Sequence, residues 1–114
     1  MTARRAWQRA VLVDRRAETS TAYTLVFAVK DWPGHLAGQH VDVRLTAEDG
    51  YSASRSYSLA APADGDRIEI TVQRLDDGEV SPFLTDELAT GDELEVRGPF
   101  GGWFVWRAGD SGPV

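Results

Sequence analysis

Apolar and polar residues alternate along most of the chain, and the alternation has a period of two. In "WQRAVLVDRR" the positions Trp7, Arg9, Val11 and Val13 share a face. Tyr23, Leu25, Phe27 and Val29 form a second stripe, with Thr24 and Lys30 opposite. Val41, Val43 and Leu45 form a third against Asp42, Arg44 and Thr46, and Ile68, Ile70 and Val72 a fourth against Arg67, Glu69 and Thr71. Leu94 and Val96 form a fifth against Glu93, Glu95 and Arg97. Each stripe is the mark of a half-buried antiparallel strand. "RSYS" at 55–58 reads as a further buried strand, but an unusual one, since an arginine, a tyrosine and two serines stand where a core strand carries Val, Ile or Leu.

Turn residues separate these segments: "DWPGH" at 31–35, "EDG" at 48–50, "ADGD" at 63–66 and "TGDE" at 90–93. Six strands at short spacing predict an all-β fold, a small closed barrel or a sandwich. One helix is predicted. Ser81 is placed to cap it, Pro82 suits its first position, and Phe83, Leu84 and Leu88 supply an apolar face before Gly91 ends it.

The chain has 114 residues, 42% hydrophobic and 26% charged, which suits one soluble globular domain. No apolar run approaches the roughly 18 residues of a membrane span, and the basic N-terminus lacks a secretory cleavage pattern, so a cytoplasmic setting is expected. The net charge of −6 argues against a nucleic-acid or anionic-membrane partner. With no cysteine, disulfides, thiolate nucleophiles and cysteine-ligated metals are excluded. His35 and His40 are the two histidines and fit no standard metal motif, so no metal is expected.

Three stretches go beyond strand building. In "AGQHVDVRL", 37–45, Gly38 permits a tight approach of backbone before a strand. In "ITVQRLDDGEVSPFL", 70–84, a strand runs into a glycine loop and then a helix start, which by itself reads either as an ordinary capped helix or as a place for phosphate. In "GPFGG", 98–102, the spacing fits neither dinucleotide nor Walker loops, and by itself it reads as a turn between strands.

Taken in order, Gly38-Gln39, Arg55-Ser56-Tyr57-Ser58, Gly78-Glu79-Val80-Ser81 and Gly98-Pro99-Phe100-Gly101 resemble the flavin-binding domain of the ferredoxin–NADP reductase family. That family's pattern is G-Q, R-x-Y-[ST], G-x-x-S and G-P-x-G, and the resemblance spans residues 7 to 107. It implies a six-stranded antiparallel Greek-key barrel with one short helix, holding FAD, with FMN as the alternative. By the same resemblance Arg55 pairs with the flavin phosphates, Tyr57 lies against the isoalloxazine ring, and Ser58, the catalytic candidate, bonds near the ring nitrogen that accepts hydride. Gly78, Glu79, Val80 and Ser81 would hold pyrophosphate, and Gln73 and Arg74 would border the ring. Ser56 belongs to the same motif. Two roles are open to His40, the flavin edge or a solvated strand position. If the strand is regular, Arg55 and Tyr57 share one face and Ser56 and Ser58 the other.

Reductases of this family couple the flavin barrel to a following NAD(P)-binding domain. Residues 1–114 read as the barrel alone, with the second domain expected beyond Val114. The implied function is electron transfer from NAD(P)H through flavin to a protein or small-molecule acceptor, with little turnover by the barrel itself. The alternative is a barrel that binds flavin or a partner without turnover. An apolar docking patch around Tyr57, with Trp103 or Trp106, is expected on the side facing the missing domain.

Overall fold

A computed structural model describes residues 6–36, 38–75, 78 and 80–101. The expectations placed on Glu79, Trp103 and Trp106 lie outside the described residues. Six strands form: β1 Gln8–Ala17, β2 Ala22–Ala28, β3 His40–Thr46, β4 Ser52–Ser58, β5 Arg67–Gln73 and β6 Glu93–Phe100. They make one antiparallel sheet in the order β4-β3-β6-β1-β2-β5, which carries the chain across the sheet and back in Greek-key fashion. The predicted all-β class and strand number hold. The hydrogen-bond ladder does not close into a full barrel. Its two edges, β4 and β5, meet only just past Ser58, through a bridge between Leu59 and Ile70 and an Ala60 N–H to Glu69 carbonyl bond of 2.8 Å.

Four of the apolar stripes face inward as the alternation predicts. Leu25, Phe27, Val41, Val43, Ile70, Val72 and Val96 are fully buried, and Ile68 nearly so. β1 is a correction. Its buried residues are Ala10 and Leu12, while Arg9 is exposed and Val11 and Val13 are only half-buried. The run "AVLV" is apolar at both parities, so its pattern cannot choose a face, and pairing decides. A bulge then follows: Leu12 pairs with Phe27 but Asp14 with Val26, so Val13 is the extra residue. The bulge reverses the alternation and turns Arg15 to the inner side opposite Leu25. There its guanidinium donates to the carbonyls of Leu84 and Leu88.

Those carbonyls belong to the one helical segment among the described residues and to the residue that ends it. The segment is short as predicted, but its bonding widens to a π-helical turn over Phe83–Glu87, with Leu88 N–H donating to Phe83 carbonyl at 2.9 Å. Ser81 is not its cap. The Ser81 hydroxyl reaches backwards and accepts the Leu75 N–H at 2.8 Å, so it braces the loop after β5 instead. Ser81 is buried, and Ser81→Ala would strand that donor. The expected cost is about 1–3 kcal/mol, read as a lower urea midpoint with unchanged slope; a shift too small to resolve would contradict the bracing role.

The second correction concerns "GPFGG". It is not a turn between strands, because β6 runs on through Gly98 and Pro99 to Phe100. Gly98 has φ 148°, and a side chain there would stand 3.2 Å from both the His40 carbonyl and Val41 Cγ1. Glycine is therefore required where β6 presses on the start of β3.

Candidate functional site

The site is built where the sheet fails to close. β4 was expected to be a buried strand; it is an edge strand, and Ser52, Ser54, Arg55, Ser56 and Ser58 are all exposed. Its polar composition follows from that position. The register with β3 pairs Val41 with Tyr57, Val43 with Arg55, Asp42 with Ser56 and His40 with Ser58. Directly opposed residues share a face, so Arg55 and Tyr57 stand on the inner side and Ser56 and Ser58 on the outer, as the alternation predicts. Continuing the Leu59–Ile70 register would bring Tyr57 opposite Val72 and Arg55 opposite Arg74. No ladder joins those pairs among the described residues, and the two edges part there. The result is two strand edges left unpaired by the ladder, the two walls of the candidate site.

Each wall has its own supports. On the β4 side, Ser56 Oγ donates to Asp42 Oδ1 at 2.7 Å, and Arg97 donates to the other oxygen of Asp42 at 3.0 Å. Ser56 is thus engaged with its own sheet. Arg55 donates to the Ser54 carbonyl at 2.7 Å while remaining exposed. Tyr57 is half-buried against the core. Burial pushes its phenol above the ordinary value of 10.0, and the Arg55 charge pulls the other way. The neutral phenol is favoured in the folded chain. Folding therefore loses stability from Tyr57 only above pH 10.0, where the unfolded chain ionises first. A near-ultraviolet phenolate titration, taken as the difference between wild type and Tyr57→Phe, should show a midpoint above the ordinary phenol value. A lower midpoint would contradict the burial argument.

On the β5 side, Gln73 and Arg74 stand at the strand's end. Gln73 donates to Thr21 Oγ1 at 2.6 Å. Arg74 Nε donates to Asp86 Oδ2 at 2.8 Å, and this bond is the main reason the Asp86 carboxyl is held below its ordinary range. The loop beyond is drawn in by Ser81 and by a Gly78 N–H to Leu75 carbonyl bond of 2.9 Å. A side chain at Gly78 would meet the Leu75 carbonyl and Ser81 Oγ at 3.3 Å, so the loop is too close-set for anything but glycine without adjustment. The Val80 side chain is in the hydrophobic core, which leaves only its backbone for a ligand.

His40, Arg55, Tyr57 and Ser58 thus lie on the β3–β4 edge and Gln73, Arg74, Gly78, Val80 and Ser81 at or after the end of β5, and the Leu59–Ile70 bridge joins the two edges. An exposed guanidinium, a tyrosine ring beside it, a hydroxyl at the rim and a close-set glycine loop suit a ligand with a phosphate and a planar ring. The donor set fits a flavin nucleotide.

Two further features escaped sequence reading. Trp7 lies between two guanidiniums, with Arg44 4.1 Å and Arg97 4.3 Å from its ring centre. Arg44 is also paired with Glu95 at 2.9 Å. The second is a staple between loops: Trp32 Nε1 donates to His35 Nδ1 at 3.0 Å, and His35 Nε2 bonds the Ala61 carbonyl at 2.7 Å. No spacing rule points to either, because Arg44, Arg97 and Ala61 lie far along the chain from their partners Trp7 and His35. Among the described residues no three His, Cys, Asp or Glu side chains gather as a metal site, and no helix is long and apolar enough to cross a membrane.

Comparison with known proteins gives the same picture. Residues 10–105 match the family described as oxidoreductase FAD-binding domain. A flavohemoprotein of Pseudomonas putida is 39% identical over 93 residues, covering 79% of this chain and 24% of that protein. The ferredoxin reductase component of a 3-ketosteroid-9-alpha-monooxygenase from Rhodococcus rhodochrous is 38% identical over 89 residues, covering 74% of this chain and 25% of that protein. The chain therefore spans about a quarter of the length of these relatives. Among solved structures, the ferredoxin reductase in carbazole 1,9a-dioxygenase superposes with a TM-score of 0.75 at 26% identity, covering 85% of this chain and 30% of that one. The flavohem-like FAD/NAD binding domain of a Vibrio cholerae nitric oxide dioxygenase gives 0.74 at 26% identity, covering 88% of this chain and 46% of that one.

Proposed function

The chain belongs to the oxidoreductase FAD-binding domain family, and from that premise we propose that the parted edges of β4 and β5 hold the flavin of an NAD(P)H-dependent electron-transfer protein. The observation that supports this reading is the unpaired edge of β4, which carries Arg55, Tyr57 and Ser58 next to the one bridge that joins it to β5. When bound, the flavin supplies the redox chemistry, and the protein supplies position and electrostatics.

The residues divide the work by location. Arg55 presents a planar fork to the phosphates. The loop wall adds the backbone N–H groups of Val80 and Ser81, since the Gly78 N–H already closes a turn on Leu75. Tyr57 lays its ring against the isoalloxazine, and its neutral phenol keeps charge away from the ring. Ser58 projects from the opposite face of the strand to Tyr57, yet a planar ring laid along the free edge of β4 meets side chains from both faces. A regular β4 can therefore bring both to the ring. His40, paired with Ser58, stands at the same rim. Gln73 and Arg74 border the ring from β5.

FAD is the family's cofactor, and the chain should prefer it to FMN. In the whole protein the electrons come from NAD(P)H, bound by a separate domain such as the relatives carry, and leave to a protein or small-molecule acceptor. Titrating the purified chain with FAD and FMN, followed by flavin fluorescence, tests the reading. Saturable FAD binding that is tighter than FMN binding is expected; a folded chain that binds neither refutes it. With FAD loaded, NADH and NADPH oxidation with ferricyanide should stay near the rate of free flavin, because orientation is worth roughly 7–11 kcal/mol and the described residues offer no second nucleotide loop.

A further inference from the structure

Gln39 stands one residue before β3 and makes four hydrogen bonds to three separate segments. Its backbone N–H donates to the Leu36 carbonyl at 3.1 Å, and its Oε1 accepts the Leu36 N–H at 2.7 Å. Its carbonyl accepts the N–H of Leu59, the seam residue, at 2.7 Å. Its Nε2 donates to the carbonyl of Gly101, just past the end of β6, at 2.6 Å. The next residue, His40, is caught among the same segments. Its ring packs on Phe100 with centres 5.5 Å apart, and a side chain at Gly101 would come within 3.5 Å of His40 Nδ1. Ser58, opposite His40, is the residue just before the seam.

We propose that Gln39 is a positioning residue for the flavin ring. By tying the seam at Leu59 to the exit of β6 at Gly101, it fixes where the His40–Ser58 rim meets the ring. The inference rests on the flavin reading above. The amide is suited to this place because one end must accept an N–H while the other donates to a carbonyl. Methionine keeps the length and offers neither strong bond. Ionised glutamate can accept but cannot donate, whereas protonated glutamate can do both.

The test uses the whole chain loaded with FAD, comparing wild type, Gln39→Met and Gln39→Glu by visible circular dichroism of the bound flavin. Both variants should bind FAD within about threefold of wild type, since the phosphate-holding groups are untouched. Gln39→Met should lose most of the visible dichroism. Gln39→Glu should lose it near neutral pH and regain it as the pH falls towards the carboxyl range, about 4.3, a recovery that wild type over the same range should not show. Wild-type dichroism in folded, FAD-loaded Gln39→Met overturns the proposal. If Gln39→Met does not fold, Gln39→Glu decides alone: the absence of a pH-dependent recovery overturns it. A wild-type chain that takes up no FAD refutes the flavin reading and this proposal with it, and the binding titration separates that case from the others.

Discussion

Replacing Phe27 with alanine is expected to destabilise the flavin-free chain by about 3–5 kcal/mol. Among the described residues Phe27 is the largest fully buried side chain, at 0% exposure. It pairs with Leu12 on one side and Ile68 on the other, so it stands in the middle of the three strands β1, β2 and β5. Those strands are cross-paired along their length, which leaves the backbone little freedom to collapse into the vacated space. A domain of this size has about 5–15 kcal/mol in total, so the variant should keep only a fraction of its stability. Urea unfolding followed by tryptophan emission measures this, with the midpoint falling and the slope unchanged. The measurement belongs on the flavin-free chain, because bound FAD would add stability by mass action. A loss below about 1 kcal/mol would mean that the three strands do not share one packed interior.

Arg55→Ala is expected to weaken FAD binding by about 1.5–3 kcal/mol, the range for hydrogen bonds to charged groups, which is about ten- to hundredfold in the dissociation constant. The fold should survive, because Arg55 is exposed on an edge strand and its backbone pairing with Val43 does not depend on the side chain. Arg55→Lys should fall between, keeping the charge and losing the planar fork. Titration of the folded variants with FAD reads the effect. Equal affinity for Arg55→Ala and wild type would remove Arg55 from the phosphate role.

The inner faces of β3, β5 and β6 were legible in the sequence because their apolar residues fall at one parity, and that of β2 because its largest side chains do, although Thr24 and Val26 on its other face are buried too. β1 was not. In Ala10-Val11-Leu12-Val13 both parities are apolar, and the bulge at Val13 that turns Arg15 inward is set by pairing with β2. The position of β4 was misread for a related reason. A polar strand at a sheet edge and a polar strand gripping a ligand look alike in sequence, and here the strand is an edge, the one on which the proposed flavin site draws. Ser81 shows the limit of local rules. A serine before a proline and an apolar run reads as a cap, yet the Leu75 N–H six residues back takes its hydroxyl. Gln39 carried a motif letter but no reason, because its partners at Leu59 and Gly101 lie 20 and 62 residues away. Hydrogen bonds of that reach leave no periodic trace.

The central claim is that FAD lies along the parted edges of β4 and β5. The measurement that tests it most directly is amide NMR of the isotopically labelled chain, before and after FAD is added. The account predicts that the amides that move most are those of Arg55 to Leu59, His40, Gln73, Arg74, Gly78, Val80 and Ser81, with Ala22–Ala28 of β2 nearly still. Shifts centred instead on the cavity at the other end of β3 and β4, of about 640 Å³ and lined by Leu45, Tyr51, Ala53 and Phe83, would contradict it.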